Sequence, residues 1–235
     1  MEQMGICDLH CHVLPQMDDG SNCVEMSLEM LRNAWEQGVR VVFATPHYYP
    51  VESVEDFLAR RDQAEQILRQ AMGDGQYPEL ILGAEVAYRP GIGYEEGLER
   101  LCLGTSRYLL LELPFEPWGQ EVLRDINNMS SVHGITPILA HLERYISGQK
   151  AQTMRQLLSY DVLAQMNASA LLDWRRRPLA KRLIREGAVQ LLGSDAHNTT
   201  TRPQNTAKGM AALEKYPHWQ EQMINLGQYI ADQAK

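Results

Sequence analysis

Two histidines separated by one residue close the first apolar run of the chain, in the segment Cys7-Asp8-Leu9-His10-Cys11-His12. Residues two apart on a β-strand point to the same face of the sheet, so the two imidazoles would aim at one point. Converging neutral nitrogens of this kind bind divalent transition metals. The pair therefore predicts a metal site where this strand ends.

Further potential ligands follow at the ends of later apolar runs. They are Asp19, preceded by Asp18, then His47, Glu85, Glu112, His141, Asp195 and His197. One His-x-His pair is weak evidence, whereas a series of ligand types at strand ends indicates a multinuclear centre. Mixed imidazole and carboxylate ligation favours manganese, iron or zinc. Clustered metals suit phosphate-ester hydrolysis, because they acidify a bridging water and bind the oxygens of an in-line displacement.

Two arginines accompany these ligands along the chain. Arg144 follows His141, and Arg202 follows His197. A guanidinium fork matches the oxygens of a phosphate and stabilises the charge of the transferring group. Both arginines are therefore candidate catalytic residues.

Two of the carboxylates have alternative explanations. Glu112 lies in the apolar run 109–114, where an unpaired charge is costly, so either metal ligation or an ion pair with a buried arginine would account for it. Asp18 precedes Gly20 and suits a turn, whereas its neighbour Asp19 is the predicted ligand.

Short apolar runs alternate with amphipathic helical patterns over the whole chain. The predicted strands are 5–10, 39–44, 80–85, 108–113, 136–140, 162–166 and 189–193. Seven β-α alternations, with no change in composition between them, predict an α/β parallel barrel formed by a single domain over residues 1–235. The predicted ligands lie at the carboxyl ends of the strands, which is the active-site face of such barrels. The sixth run is an exception and ends in Asn167-Ala168-Ser169.

Composition excludes several classes of protein. The formal net charge of −8 argues against a protein that binds nucleic acid through its phosphates. We see no signal peptide and no apolar run long enough to span a membrane, so a cytoplasmic location is expected. The four cysteines show no paired spacing, and Cys102 is one residue too close to Arg107 for a thiol phosphatase loop. We expect all four to be packing residues.

Six segments together resemble the polymerase-and-histidinol-phosphatase (PHP) metal-dependent hydrolases. The segments are 8–15, Asp18-Asp19-Gly20, Ala44-Thr45-Pro46-His47, Gly83-Ala84-Glu85, Ala140-His141-Leu142-Glu143-Arg144-Tyr145 and Gly193-Ser194-Asp195-Ala196-His197. The His-x-His and Ser-Asp-Ala-His pieces belong to the wider superfamily. The other motifs more closely resemble the Gram-positive protein-tyrosine phosphatases encoded with capsule and exopolysaccharide genes.

This resemblance implies a fold, a metal centre and a substrate. The fold is a distorted (β/α)7 barrel, and the centre holds three divalent ions, usually manganese. The implied ligand groups are His10, His12, Glu85 and Asp195 for one ion, Glu85, Glu112 and His141 for a second, and Asp19, His47 and His197 for a third. The implied substrate is the phosphorylated tyrosine-rich tail of a bacterial tyrosine kinase that controls polysaccharide export.

Other functions compete with this interpretation. A small-molecule phosphatase of the histidinol-phosphate type would use the same barrel, and a catalytically idle metal-binding regulator of the kinase would keep the ligands. A PHP nuclease is disfavoured by the acidic charge. An amidohydrolase commonly uses a carboxylated lysine between two metals, but none of the lysines follows a predicted strand.

Two further patterns allow two interpretations each. Aromatic residues follow several ligands and would either form a wall for the tyrosine ring or pack within their loops. They are Tyr48, Tyr49, Tyr88, Phe115, Trp118 and Tyr145. The run Arg175-Arg176-Arg177 suits a solvated helix start, and alternatively it would attract an acidic peptide.

Overall fold

Among residues 5–235, nine parallel strands form two hydrogen-bonded sheets. The structure, a computed structural model, describes residues 5–235. The strands are β1 (Ile6–Cys11), β2 (Val39–Ala44), β3 (His47–Tyr48), β4 (Glu79–Leu82), β5 (Glu85–Ala87), β6 (Tyr108–Glu112), β7 (Thr136–Leu139), β8 (Leu163–Asn167) and β9 (Leu191–Gly193). Seven of these strands correspond to the predicted runs, whereas β3 lies beyond the predicted run 39–44 and was not predicted, and only Glu85 of β5 lay within the predicted run 80–85. Thr45-Pro46 separates β2 from β3, and Gly83-Ala84 separates β4 from β5.

Backbone hydrogen bonds close the sheet into a distorted barrel. Strands pair in the orders β1-β2-β4 and β3-β5-β6-β7-β8-β9, always in parallel. The interrupted runs stay connected, since Gly83 N donates to Ala44 O over 2.9 Å. After β9, Asp195 N donates to His10 O (2.8 Å) and His12 N donates to Ala196 O (2.9 Å), which joins the last run to the first. The predicted fold class is confirmed.

Helices connect the strands and cover the barrel. They are α1 (Val24–Glu36), α2 (Val54–Met72), α3 (Gln120–His133), α4 (Ala151–Leu157), α5 (Ser169–Leu172), α6 (Arg177–Arg185), α7 (Thr206–Ala211) and α8 (Pro217–Gln233), with short 3₁₀ turns at Ile92–Tyr94, Leu98–Leu101 and Leu142–Arg144. Gly134 ends α3 with φ at 61°, a left-handed conformation that glycine adopts without strain. Its N–H donates to Ser130 O and so turns the chain into β7.

Apolar side chains of the strands pack into two buried clusters. Leu9, Phe43, Leu110 and Leu191 belong to one buried cluster, which the C-terminal helix α8 joins through Ile230. The core holds the strands in register and so fixes where their carboxyl ends meet. In residues 5–235, no helix combines the length and the apolar character that crossing a membrane requires.

Candidate metal centre

All nine predicted metal ligands lie together at the carboxyl end of the barrel. His10 belongs to β1, with His12 just after it, His47 begins β3, Glu85 begins β5, Glu112 ends β6, His141 follows β7, and Asp195 and His197 follow β9. Asp19 lies in the loop between β1 and α1. Five of the seven histidines of the chain therefore gather at one mouth. Their role as ligands stays a prediction.

Glu85 lies at the middle of the cluster. Its Oε2 is 3.0 Å from His10 Nε2 and 3.2 Å from both His12 Nε2 and His47 Nδ1, while its Oε1 is 3.1 Å from His141 Nε2. Burial works against the charge of this carboxylate, but the surrounding histidines hold its pKa well below the usual value. Glu85 therefore stays ionised and suits the bridging position that the resemblance implied.

Asp195 is a second residue on which histidines converge. It lies beside the backbone hydrogen bonds that join the last run to the first, which we call the seam of the barrel. Its Oδ1 is 3.6 Å from His10 Nε2, from His12 Nε2 and from His197 Nδ1. His10 Nε2 and His12 Nε2 lie only 3.0 Å apart. The β-strand argument from the His-x-His spacing is thus confirmed, because both rings aim at the same space.

The remaining ligands form two further groups. His12, Asp19, His47 and His197 bring ligand atoms within 4.8 Å of one another, and so do His47, Glu85 and Glu112. The structure thus adds His12 to the predicted Asp19 group and brings His47 next to Glu85 and Glu112.

Glu112 is explained by its histidine neighbour. Its Oε1 lies 3.3 Å from His141 Nε2. Among the ion pairs of residues 5–235, Glu112 has no arginine partner. The structure therefore supports ligation over the ion pair that the sequence also allowed.

Three histidines have a hydrogen-bond partner at Nδ1, on the side of the ring away from the centre of the cluster. His12 Nδ1 lies 2.7 Å from Asp18 Oδ2, His10 Nδ1 lies 3.3 Å from Gln165 Oε1, and His197 Nδ1 lies 3.0 Å from the backbone oxygen of Asp195. Each of these partners is an acceptor, so the ring proton belongs on Nδ1 in the neutral imidazole. The Nε2 lone pairs of all three rings then face the centre of the cluster.

Such an arrangement suits cations. Imidazole lone pairs and the oxygens of Glu85 and Asp195 would repel one another unless a positive charge lies between them. His197 Nε2 is buried and has no hydrogen-bond partner among the described residues. For His12, burial disfavours the charged form, but the hydrogen bonds to Asp18 and Glu85 prevail and raise its pKa to about 10. The cluster therefore attracts a proton where a divalent cation would otherwise sit.

Asp18 supports the centre and does more than shape a turn. Its Oδ2 accepts from His12 Nδ1 and, over 2.8 Å, from the backbone N–H of His47, while its Oδ1 accepts from Gly20 N over 2.9 Å. A Cβ at Gly20 would lie 2.4 Å from His12 O, so only glycine fits there. The Asp-Asp-Gly motif thus fixes two histidines from one loop.

Strand β8 provides no predicted ligand, but its amides connect the others. Gln165 Oε1 accepts from His141 N over 2.8 Å as well as facing His10, and Gln165 Nε2 donates to Asn167 Oδ1 over 3.0 Å. Asn167 Nδ2 then donates to Asp195 Oδ2 over 2.7 Å. Neither Gln165 nor Asn167 was predicted as part of the site. Their only signal was the polar ending of an otherwise apolar run.

Both predicted catalytic arginines lie over Asp195. Arg144 Nη2 donates to its Oδ2 and Arg202 Nη2 to its Oδ1, each over 2.6 Å. Their side chains stay about one-third exposed, at 33% and 39%. Asn198 orders the loop that carries Arg202, because its Oδ1 accepts from the backbone N–H groups of Thr201 (2.8 Å) and Arg202 (3.0 Å). Two cationic groups therefore border the mouth of the cluster.

The backbone is left-handed at two of the predicted ligands. His141 has φ at 35° and Asp195 has φ at 53°. Non-glycine residues in this region are strained, and such strain persists where the surrounding structure holds it, commonly at functional sites. At Asp195 the hydrogen bond from its N–H to His10 O and the arginine contacts provide that restraint.

The aromatic residues near the ligands divide into two kinds. Tyr49 and Phe115 are 49% and 57% exposed, and their rings stack on His47 (5.3 Å) and His141 (6.4 Å) at the mouth. Trp118 is buried and its indole N–H donates to Pro114 O, and Tyr145 is buried with its hydroxyl accepting from Leu113 N. A wall that includes Trp118 and Tyr145 is therefore wrong, because both pack within their loops.

The cysteines lie apart from the predicted chemistry. Cys7, Cys11 and Cys102 are buried, Cys23 is partly buried, and none forms a disulfide within the described residues. Burial raises the pKa of both Cys7 and Cys102 to about 12. Cys11 Sγ faces Ala196 O instead of the ligand space. The expectation that the cysteines are packing residues agrees with these positions.

A parallel α/β barrel with a cluster of histidines and carboxylates at its mouth is typical of the class of metal-dependent barrel hydrolases. The sequence model of the family described as "Capsular polysaccharide synthesis, CpsB/CapC" matches residues 6–226. The chain belongs to this family, and the resemblance that the motifs indicated is confirmed.

The chain is also similar to several proteins that carry names. The chain is 28% identical over 218 residues to the tyrosine-protein phosphatase YwqE of Bacillus subtilis, covering 88% of this chain and 84% of that protein. It is 28% identical over 212 residues to the putative tyrosine-protein phosphatase CapC of Staphylococcus aureus, covering 83% and 78%. A solved structure described as one of YwqE and CpsB, "unique metal-dependent tyrosine phosphatases", superposes with a TM-score of 0.82 at 23% identity, covering 98% of this chain and 96% of that one.

Proposed function

We propose that the protein is a metal-dependent protein-tyrosine phosphatase that acts as a single catalytic domain. The observation that carries this proposal is the convergence of five imidazoles on buried Glu85 and Asp195, with two arginines at the mouth. Membership of the CpsB/CapC family supports it, since the relatives named above are called tyrosine-protein phosphatases.

Three divalent ions would occupy the centre, with manganese as the first choice and iron or zinc as alternatives. His10, His12, Glu85 and Asp195 would hold one ion, Glu85, Glu112 and His141 a second, and Asp19, His47 and His197 a third. The short distances between these ligand atoms support the grouping, in which Glu85 would be shared by two ions.

Divalent ions bound here would supply Lewis acidity toward the phosphoryl oxygens and would lower the pKa of the attacking water. The protein's own part is to orient and neutralise the phosphate. Arg144 and Arg202 each keep guanidinium surface toward the mouth, so both can bind phosphoryl oxygens while Asp195 holds them in place.

Departure of tyrosine needs little help from a side-chain acid, because a phenolate leaves more readily than an alkoxide. We assign no side chain as the general acid, because Asp19, the exposed carboxylate beside His47 and His197, would be ionised as a metal ligand. Tyr49 and Phe115 would contact the tyrosine ring from the two sides of the mouth.

The substrate we propose is a phosphotyrosine-bearing protein, namely the tyrosine-rich tail of a bacterial tyrosine kinase that controls capsule and exopolysaccharide synthesis. The protein would meet that tail in the cytoplasm. The family description, which names capsular polysaccharide synthesis, supports this partner.

The first test is hydrolysis of a phosphotyrosine peptide by metal-stripped protein, with and without added manganese. A phosphoserine peptide and histidinol phosphate serve as matched substrates. We expect manganese-dependent turnover that is selective for phosphotyrosine. Preference for histidinol phosphate would replace the substrate and keep the metal chemistry, while absence of turnover on every ester would favour the idle regulator.

A further inference from the structure

A second cavity opens beside the metal centre. It has a volume of about 360 Å³, and its lining includes Phe115, Arg144, Arg176 and Leu179. Arg144 links it to the centre, since its guanidinium donates to Asp195 over 2.6 Å. Phe115 does so too, because its ring stacks on that of His141. A peptide whose phosphotyrosine lies in the mouth would therefore pass next to this cavity.

The loop between α5 and α6 brings positive charge to the cavity, in a chain whose net charge is −8. Three consecutive arginines follow Asp173 and Trp174. Arg177 begins α6 and is used within the fold, as its Nε donates to Leu171 O over 2.6 Å and its Nη2 to Leu172 O. This residue therefore fits the helix-start interpretation of the arginine run.

Arg176 differs from Arg177, since it lines the cavity and is held only weakly. Within residues 5–235 its one ion pair, with Asp173 at 3.6 Å, joins side chains that are 61% and 39% exposed. Exposed pairs of this kind contribute little stability, so the Arg176 guanidinium can turn toward another anion at small cost.

One acidic residue, Glu143, also lines the cavity, where two arginines outnumber it. Glu143 Oε2 accepts from the backbone N–H of Asn167, on strand β8, over 3.3 Å, so one of its oxygens is already engaged with the barrel. Because Arg144 donates to Asp195, Arg176 is the cationic group of the lining that is available to an incoming anion. Phe115 and Leu179 add apolar surface that suits the methylene groups of a side chain.

We infer that this cavity is a specificity subsite that binds a carboxylate side chain close to the phosphotyrosine of the substrate protein. The inference rests on the proposed phosphatase function and adds a sequence preference to it. Arg176 is the residue that determines the preference, because Arg144 already contacts Asp195.

The test compares two phosphotyrosine peptides that differ only in carrying glutamate or the isosteric glutamine on both sides of the phosphotyrosine. The manganese-loaded wild-type protein should prefer the glutamate peptide by about two- to fivefold in kcat/KM, the effect expected of one partly exposed ion pair. R176Q should abolish the preference, and R176E should invert it. Added salt should weaken it in the wild type, since the pair is screened.

A matched control is R185Q, which makes the same charge change at the other end of α6, at an exposed position. R185Q should keep the wild-type preference. Equal kcat/KM for the two peptides in the wild type, an unchanged preference in R176Q, or a loss of it in R185Q would each overturn the subsite alone. If neither peptide is hydrolysed by the wild-type protein loaded with manganese, iron or zinc, the proposed function fails and the subsite fails with it.

Discussion

Replacing Asp18 with asparagine would test whether residues behind the histidines set the metal affinity. Asp18 has its pKa lowered to about 2, because the hydrogen bond and charge of His12 and the backbone N–H groups of His47 and Gly20 outweigh its burial. It is therefore ionised at neutral pH, and its 2.7 Å contact with His12 Nδ1 is a charge-assisted hydrogen bond.

Asparagine preserves the shape of Asp18 but not its hydrogen bonds. The carboxylate accepts three N–H groups on two oxygens, from His12 and His47 on one and from Gly20 on the other. An amide offers one oxygen, so its NH₂ group must face at least one of these donors. The loss of charge also makes the His12 imidazole a weaker base. Replacing a residue that supports a metal-bound histidine in this way typically weakens metal affinity by about 10–100-fold, which corresponds to about 1.4–2.7 kcal/mol of binding free energy.

The assay is a manganese titration of stripped D18N, followed both by equilibrium dialysis and by phosphotyrosine-peptide turnover. The apparent dissociation constant should rise by that factor, and kcat should largely recover at saturating manganese, because Asp18 does not touch the substrate. D74N is the matched control, as it makes the same change at an exposed loop position. Wild-type manganese affinity in D18N would refute the argument, as would a low kcat that saturating metal fails to restore.

Four further predictions follow from the site. R144A should keep its metal content and lose about 10²–10³-fold in turnover, as expected for one charge-stabilising group, and loss of metal would show that its role lies elsewhere. H10A should lose both metal and activity, measured by elemental analysis and peptide hydrolysis; retention of both would remove it from the centre. Y49A should raise KM for phosphotyrosine peptides about two- to tenfold, as expected for one aromatic contact, and an unchanged KM would rule out ring binding. A thiol-specific reagent on the native protein at mildly alkaline pH should label the partly buried Cys23 before the buried cysteines. Burial raises the pKa of Cys102 to about 12 and keeps it as an unreactive thiol, so rapid labelling of Cys102 would contradict its burial.

The fold and the ligand cluster could be predicted because both depend on local patterns. Short apolar runs mark most strands, and the ligand types stand where those runs end, so barrel geometry brings His10, Glu85 and His141 to one face. Strand β3 was not predicted, because it has only two residues and Thr45-Pro46 separates it from the apolar run 39–44, and the break at Gly83-Ala84 was missed because Glu85 was assigned to the run before it.

The residues behind the ligands could not be predicted, because their roles depend on distant partners. Gln165 faces His10 across 155 positions of sequence, and nothing near either residue announces the contact. Phe115 and Trp118 lie in the same loop and have similar chemistry, yet the first is 57% exposed and the second 6%. Both rings lie 5.3 Å from the ring of Tyr145, so the difference arises from the hydrogen bonds of Trp118, whose indole N–H donates to Pro114 O and whose backbone N–H donates to Gln149 Oε1.

The first and last apolar runs close the barrel at their carboxyl ends, and the ligands that follow them lie at this point of closure. The same backbone contacts therefore preorganise the centre. Asp195 N donates to His10 O, and His12 N donates to Ala196 O, so backbone hydrogen bonds set the spacing between the two ligand pairs. Ser194 strengthens the seam, because its N–H and hydroxyl both donate to buried Asp8. A Cβ at Gly193 would lie 2.7 Å from that of His10, so the close approach of the two strands requires glycine. The mutual repulsion of the ligands is therefore opposed by the closure of the barrel itself, and cations would enter a site whose geometry the fold already provides.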